Sequence, residues 1–292
     1  MISRLVLRTA LTALTATSAA LAHAQVTLYT TGFEAPTYST TATGNFTNPY
    51  DGNPLVLGAG VLTNSNQNWG TFFDTVGAPG PNYDRAIKSA VVQTGVVKSG
   101  AQALKIDGAV ANQGVFGAYQ AISRPTSGGI LDIAFDMQVG GASVQAGQWG
   151  TSLFDNNFNA IASVGFYQGI LVAGSGLNIY GAAPPFTVVG YNNWANYKLS
   201  VNFFTKTMSI ALNGLPVSSM QNLPLRNDIA FTANTAAVGL GGQTPIGAPY
   251  TSTPERAYFD NLAVSSAPEP GTLAFLAVGG ALVIVRRRQP RK

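Results

Sequence analysis

Apolar and polar residues alternate along much of the chain between residues 25 and 265, a period typical of β-strands with one buried face. The clearest segment is 130–139, whose apolar face carries Leu131, Ile133, Phe135, Met137 and Val139. A second covers 194–204. The alternation resumes at Met208 and ends at Asn213-Gly214, a pair typical of the type I′ turn of a β-hairpin. We therefore predict half-buried strands in both places.

Further segments predict strands across the rest of this region: 26–33, 102–109, 114–122, 149–155, 161–168, 170–180, 236–241 and 257–265. No part of it has a convincing helical stripe. We predict an all-β body, a jelly-roll sandwich of two antiparallel sheets. Residues 35–85 are dense in turn-forming residues, which predicts long loops with one short strand near 55–62.

Composition narrows the chemistry. Charged residues make up 10% of the chain, against roughly 25% in an average soluble protein. The chain has no cysteine, and its one histidine is His23. Without His23, a chain of this composition has no Ser-His-Asp triad, Cys-His pair or typical zinc site. We therefore expect no catalytic residues and no cofactor, with a bound Ca²⁺ ion as the one alternative.

The formal net charge of +4 comes from the two ends of the chain. Between Arg8 and Arg286 there are 9 basic and 12 acidic residues, a net charge of −3. A body of this charge has no cationic surplus to neutralise phosphates, so nucleic acid is not an expected partner.

The N-terminal segment predicts a secretory signal peptide, residues 1–24. Arg4 and Arg8 precede an uncharged stretch rich in Ala, Leu and Thr, and Ala22 and Ala24 form an A-x-A cleavage site. The mature chain would begin at Gln25. The Sec export machinery and signal peptidase are the expected partners. The alternative is an ordinary N-terminal helix.

The C-terminal segment predicts a transmembrane helix. Gly271–Val285 is uncharged, and as a helix it would span roughly 22 Å of a hydrocarbon core about 30 Å thick. Arg286, Arg287 and Arg288 follow directly and would stay in the cytoplasm, stopping transfer. The alternative is a C-terminal core strand with a basic tail.

Pro268-Glu269-Pro270, followed by an apolar segment and an arginine cluster, resembles the PEP-CTERM sorting signal. This chain has Ala267 where the signal usually has Val. The resemblance implies that an exosortase recognises Pro268, Glu269 and Pro270. The protein would pass through an inner-membrane intermediate with a cytoplasmic C-terminus, then reach the cell envelope, surface or extracellular matrix. It also implies an association with exopolysaccharide.

The body resembles concanavalin A-like and laminin-G-like jelly rolls in several short motifs. They are Gly32-Phe33-Glu34, Ser99-Gly100-Ala101 with the strand after it, Trp194-x-x-Tyr197, and the closing Phe259-Asp260-Asn261. The resemblance implies that the last motif ends the domain beside the first strand. We expect Asp260 and Asn261 to close the strand ladder rather than bind a ligand.

Glycoside hydrolysis is the enzymatic alternative, and it needs paired carboxylates about 5–10 Å apart. The chain has three glutamates, Glu34, Glu255 and Glu269. Asp132 and Asp136 share a strand face but are roughly 13 Å apart along it. These spacings favour a non-enzymatic protein over a hydrolase.

A lectin-like carbohydrate-binding module is a second alternative. Trp69, Trp149 and Trp194 are candidate sugar platforms. Trp149 is the leading one because Asp155 and Asn157 follow it and could contact a sugar or a Ca²⁺ ion. The competing interpretation places Trp149 in the core and the Asp-Asn-Asn sequence in a hairpin turn. Trp194 is expected in the core.

The prediction from sequence is thus a signal peptide over 1–24, a β-sandwich domain over 25–265 and a sorting signal over 266–292. The expected function is that of an exported, non-enzymatic surface or matrix protein.

Overall fold

A computed structural model of the protein describes the body of the chain. The described residues are 25–38, 40, 45–47, 54–56, 69–74, 90–107, 114–123, 129–141, 148–155, 159–175, 178–181, 188–225, 235–244 and 256–267. The strands within them, in chain order, are β1 (Val26–Thr31), β2 (Asn45–Thr47), β3 (Pro54–Val56), β4 (Trp69–Asp74), β5 (Ala90–Gln93), β6 (Ala103–Asp107), β7 (Gly114–Ser123), β8 (Ile130–Gly140), β9 (Gln148–Phe154), β10 (Ala160–Tyr167), β11 (Ile170–Ser175), β12 (Asn178–Gly181), β13 (Ala195–Asn202), β14 (Thr207–Leu212), β15 (Leu215–Pro216), β16 (Leu223–Pro224), β17 (Thr235–Thr244) and β18 (Arg256–Ala267). A turn of 3-10 helix covers Ser218–Met220.

Except for β2 and β3, which pair with each other in a small antiparallel sheet, the described strands form two large sheets. One has the order β15-β14-β13-β8-β18-β6-β5, with β1 also paired to β18 and β16 to β14. The other has the order β12-β11-β10-β9-β17-β7-β4. Neighbouring strands are antiparallel in both sheets, so the predicted all-β class with two antiparallel sheets is confirmed.

Side-chain alternation along β8 creates the core on one face of the first sheet. Leu131, Ile133, Phe135 and Met137 are fully buried, as their spacing predicts. The Phe135 ring stacks on Tyr197 of β13, with ring centroids 5.3 Å apart and planes 12° apart. Each such side chain contributes about 1.5–3 kcal/mol by leaving water.

The β13–β14 pair is the hairpin predicted from its sequence, and β14 continues through Asn213-Gly214 into β15. Asn213 has a φ of 51° and Gly214 a φ of 79°. Two successive positive φ values are the mark of a type I′ turn, which confirms the predicted turn.

Three predictions need correction or lie outside the described residues. The loop region 35–85 contains β4, which pairs with β7 along its full length, because its aromatic residues suit a sheet position. Trp194 is half-buried rather than in the core, since it precedes β13. The signal and tail segments lie outside the described residues, within which no helix is long and apolar enough to cross a membrane.

The first and last strands of the body are neighbours. β1 and β18 are antiparallel, with Val26 opposite Ser266 and Thr31 opposite Leu262. The two ends of the described chain therefore lie side by side at one end of the sandwich.

Candidate functional site

Three sequence-distant motifs meet around the middle of β18. They are Gly32-Phe33-Glu34 after β1, the loop 94–102 between β5 and β6, and Phe259-Asp260-Asn261 within β18. We call the acidic and amide side chains that join them, Glu34, Asp136, Asp260 and Asn261, the polar clasp. The pairing of β18 with β1 and β8 brings these side chains together, and no local sequence pattern predicts that pairing.

The Glu34 carboxylate binds backbone amides of the loop. Its Oε1 accepts hydrogen bonds from the amides of Ala101 at 2.9 Å and Gln102 at 3.2 Å. Gly100 has a φ of 67°, and a Cβ at that position would overlap the Glu34 carboxylate. Glycine is therefore needed for both the turn and the close approach.

Asp260 is fully buried and holds the same loop from the other side. Its Oδ2 accepts from the amides of Lys98 at 3.2 Å and Ser99 at 3.0 Å, and its Oδ1 from the amide of Asn261 at 2.8 Å. Burial raises the pKa of the Asp260 carboxyl, and the nearby Glu34 charge raises it further, while these amide donors oppose the shift.

Asn261 sits at a bulge where β18 changes its edge partner. β6 pairs with β18 up to Phe259, and β1 pairs with it from Leu262 onward. Asn261 has a φ of 51°, its Nδ2 donates to Asp136 Oδ2 at 2.8 Å, and its Oδ1 accepts from Ser99 Oγ at 2.9 Å. The bulge orients the Asn261 side chain so that it forms hydrogen bonds with both β8 and the loop.

The polar clasp is anionic, and the oxygens of its carboxylates accept hydrogen bonds from amide groups of the protein. Among the described residues, no group of three or more His, Cys, Asp or Glu side chains could hold a metal ion. These hydrogen bonds connect the turn after β1, the strands β8 and β18, and the 94–102 loop. Asp260 pairs with Asp136 in the strand ladder, as predicted, whereas Asn261 lies at the bulge, where the pairing of β18 is interrupted. The prediction did not include the contacts of Glu34 and Asp260 with the loop.

A polar cleft of about 520 Å³ lies next to the clasp. The β1–β18 pair and the turn after β1 form it, and its lining residues are Thr30, Thr31, Gly32, Glu34, Ala35, Thr37, Tyr38, Asn261, Leu262 and Ala263. Hydroxyl, amide and carboxylate groups in such a cleft can form hydrogen bonds with a polar ligand.

An aromatic hydrogen-bonded group lies at the Tyr38 side of the cleft. The indole of Trp69 is fully buried, and its Nε1 donates to Tyr29 Oη at 2.9 Å and Tyr38 Oη at 3.0 Å. The two hydroxyls are 2.7 Å apart. Burial and then the hydrogen bond to Tyr38 raise the pKa of Tyr29. Trp69 therefore supports the cleft from within and presents no ring face to a sugar.

The structure does not place Trp149 and Asp155 as the predicted sugar site requires. Trp149 is 2% exposed, so its ring face lies in the core, as the competing interpretation has it. Asp155 Oδ1 accepts from the Asn159 amide at 2.8 Å, and Asp155 Oδ2 from Asn159 Nδ2 at 2.9 Å, which places Asp155 at the base of the β9–β10 connection. Asn157 lies outside the described residues.

Asp132 and Asp136 have separate partners on β13 and elsewhere. Asp132 forms an ion pair with Lys198 at 2.9 Å and accepts from Ser200 Oγ at 2.6 Å. Asp136 accepts from Asn196 Nδ2 at 3.0 Å and belongs to the clasp. The predicted sorting and cleavage residues lie outside the described residues; they are Ala22, Ala24, Pro268, Glu269, Pro270, Arg286, Arg287 and Arg288.

No protein-family model matches the chain, and no curated protein sequence is significantly similar to it. Among solved structures, the cellulose-induced protein Cip1 aligns over 60% of this chain and 84% of its own, at 12% identity and a TM-score of 0.45. An endo-β-1,4-glucuronan lyase from the fungus Trichoderma reesei aligns over 60% and 86%, at 12% identity and 0.42. A botulinum neurotoxin type C structure, whose description concerns interaction with two ganglioside molecules, aligns over 82% and 51%, at 12% and 0.42. TM-scores below 0.5 at this identity carry no inference about function.

Proposed function

We propose that the protein is an exported, exosortase-sorted component of the cell surface or extracellular matrix, with a non-enzymatic β-sandwich body. The supporting observation is the position of β18, the last described strand, relative to the Pro-Glu-Pro motif. β18 continues to Ala267, which pairs with Ile130 of β8, and the Pro268-Glu269-Pro270 motif follows at once. A processing enzyme acting beyond Ala267 would leave all the described strands intact.

The same proposal gives the two end segments their roles. The Sec machinery and signal peptidase act on residues 1–24, and the apolar run after Gly271 holds an inner-membrane intermediate with Arg286–Arg288 in the cytoplasm. The exosortase then acts at the Pro-Glu-Pro motif. The body reaches the envelope or matrix, where exopolysaccharide is its neighbour.

Fractionation of cells that express Glu269→Ala tests the sorting role. We expect the unprocessed form to accumulate in the membrane fraction, because the glutamate lies in the recognition motif. Glu255→Ala is the matched control, a glutamate in the same chain but outside the motif. Normal processing and release of Glu269→Ala would reject the proposal.

The polar cleft favours a second candidate, binding of a polysaccharide by the body. Thr30, Thr31 and Thr37 offer hydroxyl groups in a space of about 520 Å³. That volume lies in the range of about 300–1,000 Å³ common for small-molecule sites. The carbohydrate would be recognised by its hydroxyls rather than by Trp149.

A glycan array that includes the native exopolysaccharide tests this candidate. Loss of one hydrogen bond in Thr37→Val should weaken binding about 3- to 10-fold. Thr205→Val, at an exposed threonine in the β13–β14 turn, should bind as the unaltered protein does. Absence of binding to every glycan would reject this candidate, and release of reducing sugar would instead favour the hydrolase alternative.

A further inference from the structure

One end of the sandwich gathers the first residues of β1, the last residue of β18 and the β13–β14 turn. Ala267 is opposite Ile130, and Asn202 is opposite Ile130 on its other side. The amide of Phe203 donates to the Gly129 carbonyl at 3.0 Å. We call Val26, Gly129, the turn 203–206 and Ala267 the tail end of the body, because residue 268 continues from here.

The tail end exposes apolar side chains. Val26 is 56% exposed and Phe204 is 71% exposed, and they are two of the four large, mostly exposed apolar residues among the described part of the chain. The turn is fixed by Asn202, whose Oδ1 accepts from the amides of Phe204 and Thr205, both at 3.0 Å. The fixed backbone of this turn therefore keeps the Phe204 side chain exposed to solvent.

The sequence after the tail end sets its distance from the predicted membrane segment. Only residues 268–270 separate Ala267 from Gly271, where the apolar run begins. At about 3.6 Å per residue, this connection spans at most roughly 14 Å. The headgroup layer on each side of a bilayer is roughly 5–8 Å thick. An inserted tail would therefore draw the tail end to the headgroups.

The exposed groups suit that environment. A phenylalanine side chain can be buried at the boundary between headgroups and acyl chains, and a lysine can reach phosphate groups while its stem stays on apolar surface. Lys206 is exposed two residues after Phe204 in the same turn. A phospholipid surface would cover Phe204 and Val26 and complement the charge of Lys206.

We infer that, in the membrane-inserted form, the tail end of the body rests on an anionic phospholipid surface, with Phe204 in the interfacial layer. This contact depends on the proposed function, because the tail must be inserted. It would fix the orientation of the body and keep the Pro-Glu-Pro motif at the membrane face, where an enzyme embedded in the bilayer could reach it.

The experiment uses the full-length chain in phosphatidylcholine–phosphatidylglycerol vesicles. Since the chain has no cysteine, Phe204→Cys and Leu215→Cys each accept a single environment-sensitive dye. Leu215 is the matched control. It is also 71% exposed but lies beyond the opposite end of β14, roughly 17 Å away along that strand. Flotation with vesicles after an alkaline carbonate wash, which removes peripherally bound protein, reports insertion, and lipid-attached nitroxide quenches a dye at the membrane.

We expect both variants to float with vesicles, with a blue shift and loss of most emission under quenching only at position 204. If the chain floats and position 204 is quenched no more than 215, the contact is rejected and the membrane-inserted form stands. If the chain does not float, the inserted form itself is rejected, and the contact with it.

Discussion

The polar clasp requires glycine at position 100, because a side chain there would overlap the Glu34 carboxylate. Gly100 has a φ of 67°, in the left-handed region, and its Cα faces the Glu34 carboxylate that binds the next two amides. Gly214 has a similar φ of 79°, but a Cβ there would meet nothing within 4 Å. The two glycines separate the effect of backbone conformation from that of crowding.

Gly100→Ala should therefore lower the free energy of unfolding more than Gly214→Ala does. We expect a loss of about 1–2 kcal/mol for the left-handed conformation in both variants. Gly100→Ala should lose about 1–3 kcal/mol more, because Glu34 must move and release its amides. Urea unfolding followed by tryptophan fluorescence measures both. Equal losses would show that Glu34 is not packed against Gly100.

At the scale of the elements, the sequence predicts strands best where one face is strictly apolar. β8 and the β13–β14 hairpin have this pattern, and the Asn213-Gly214 turn is fixed by local φ preferences. β4 was missed because Gly70 interrupts its pattern and turn-forming segments surround it, while β5 has only four residues. Neighbouring strands, rather than local pattern, specify these two elements.

The candidate site shows the same limit more strongly. The Asp260 contacts with Lys98 and Ser99 join positions 162 and 161 residues apart, and Glu34 reaches Ala101 across 67 residues. Only the topology, with β1 and β6 on either side of the bulge in β18, brings them together. Trp149 illustrates the converse: an aromatic residue on a strand is compatible with either face, and packing decides that it is buried.

At the scale of the whole molecule, the stability of the body depends on β18, because this strand pairs with β8, β6 and β1. It buries Tyr258, Phe259, Leu262 and Val264. At about 1.5–3 kcal/mol for each side chain, these four contribute roughly 6–12 kcal/mol. That is comparable with the total stability of a typical domain, about 5–15 kcal/mol.

A chain that ends at Ala267 should therefore unfold cooperatively on heating, with an intact near-ultraviolet circular dichroism signal from the packed aromatic residues. A chain that ends at Glu255, which lacks β18, should show neither property. Both chains lack the tail, so their difference isolates the last strand. If the chain ending at Ala267 also fails to unfold cooperatively, residues 268–292 belong to the folded body. The C-terminal segment would then be a core strand with a basic tail, and the sorting proposal would lose its premise that the body ends where the Pro-Glu-Pro motif begins.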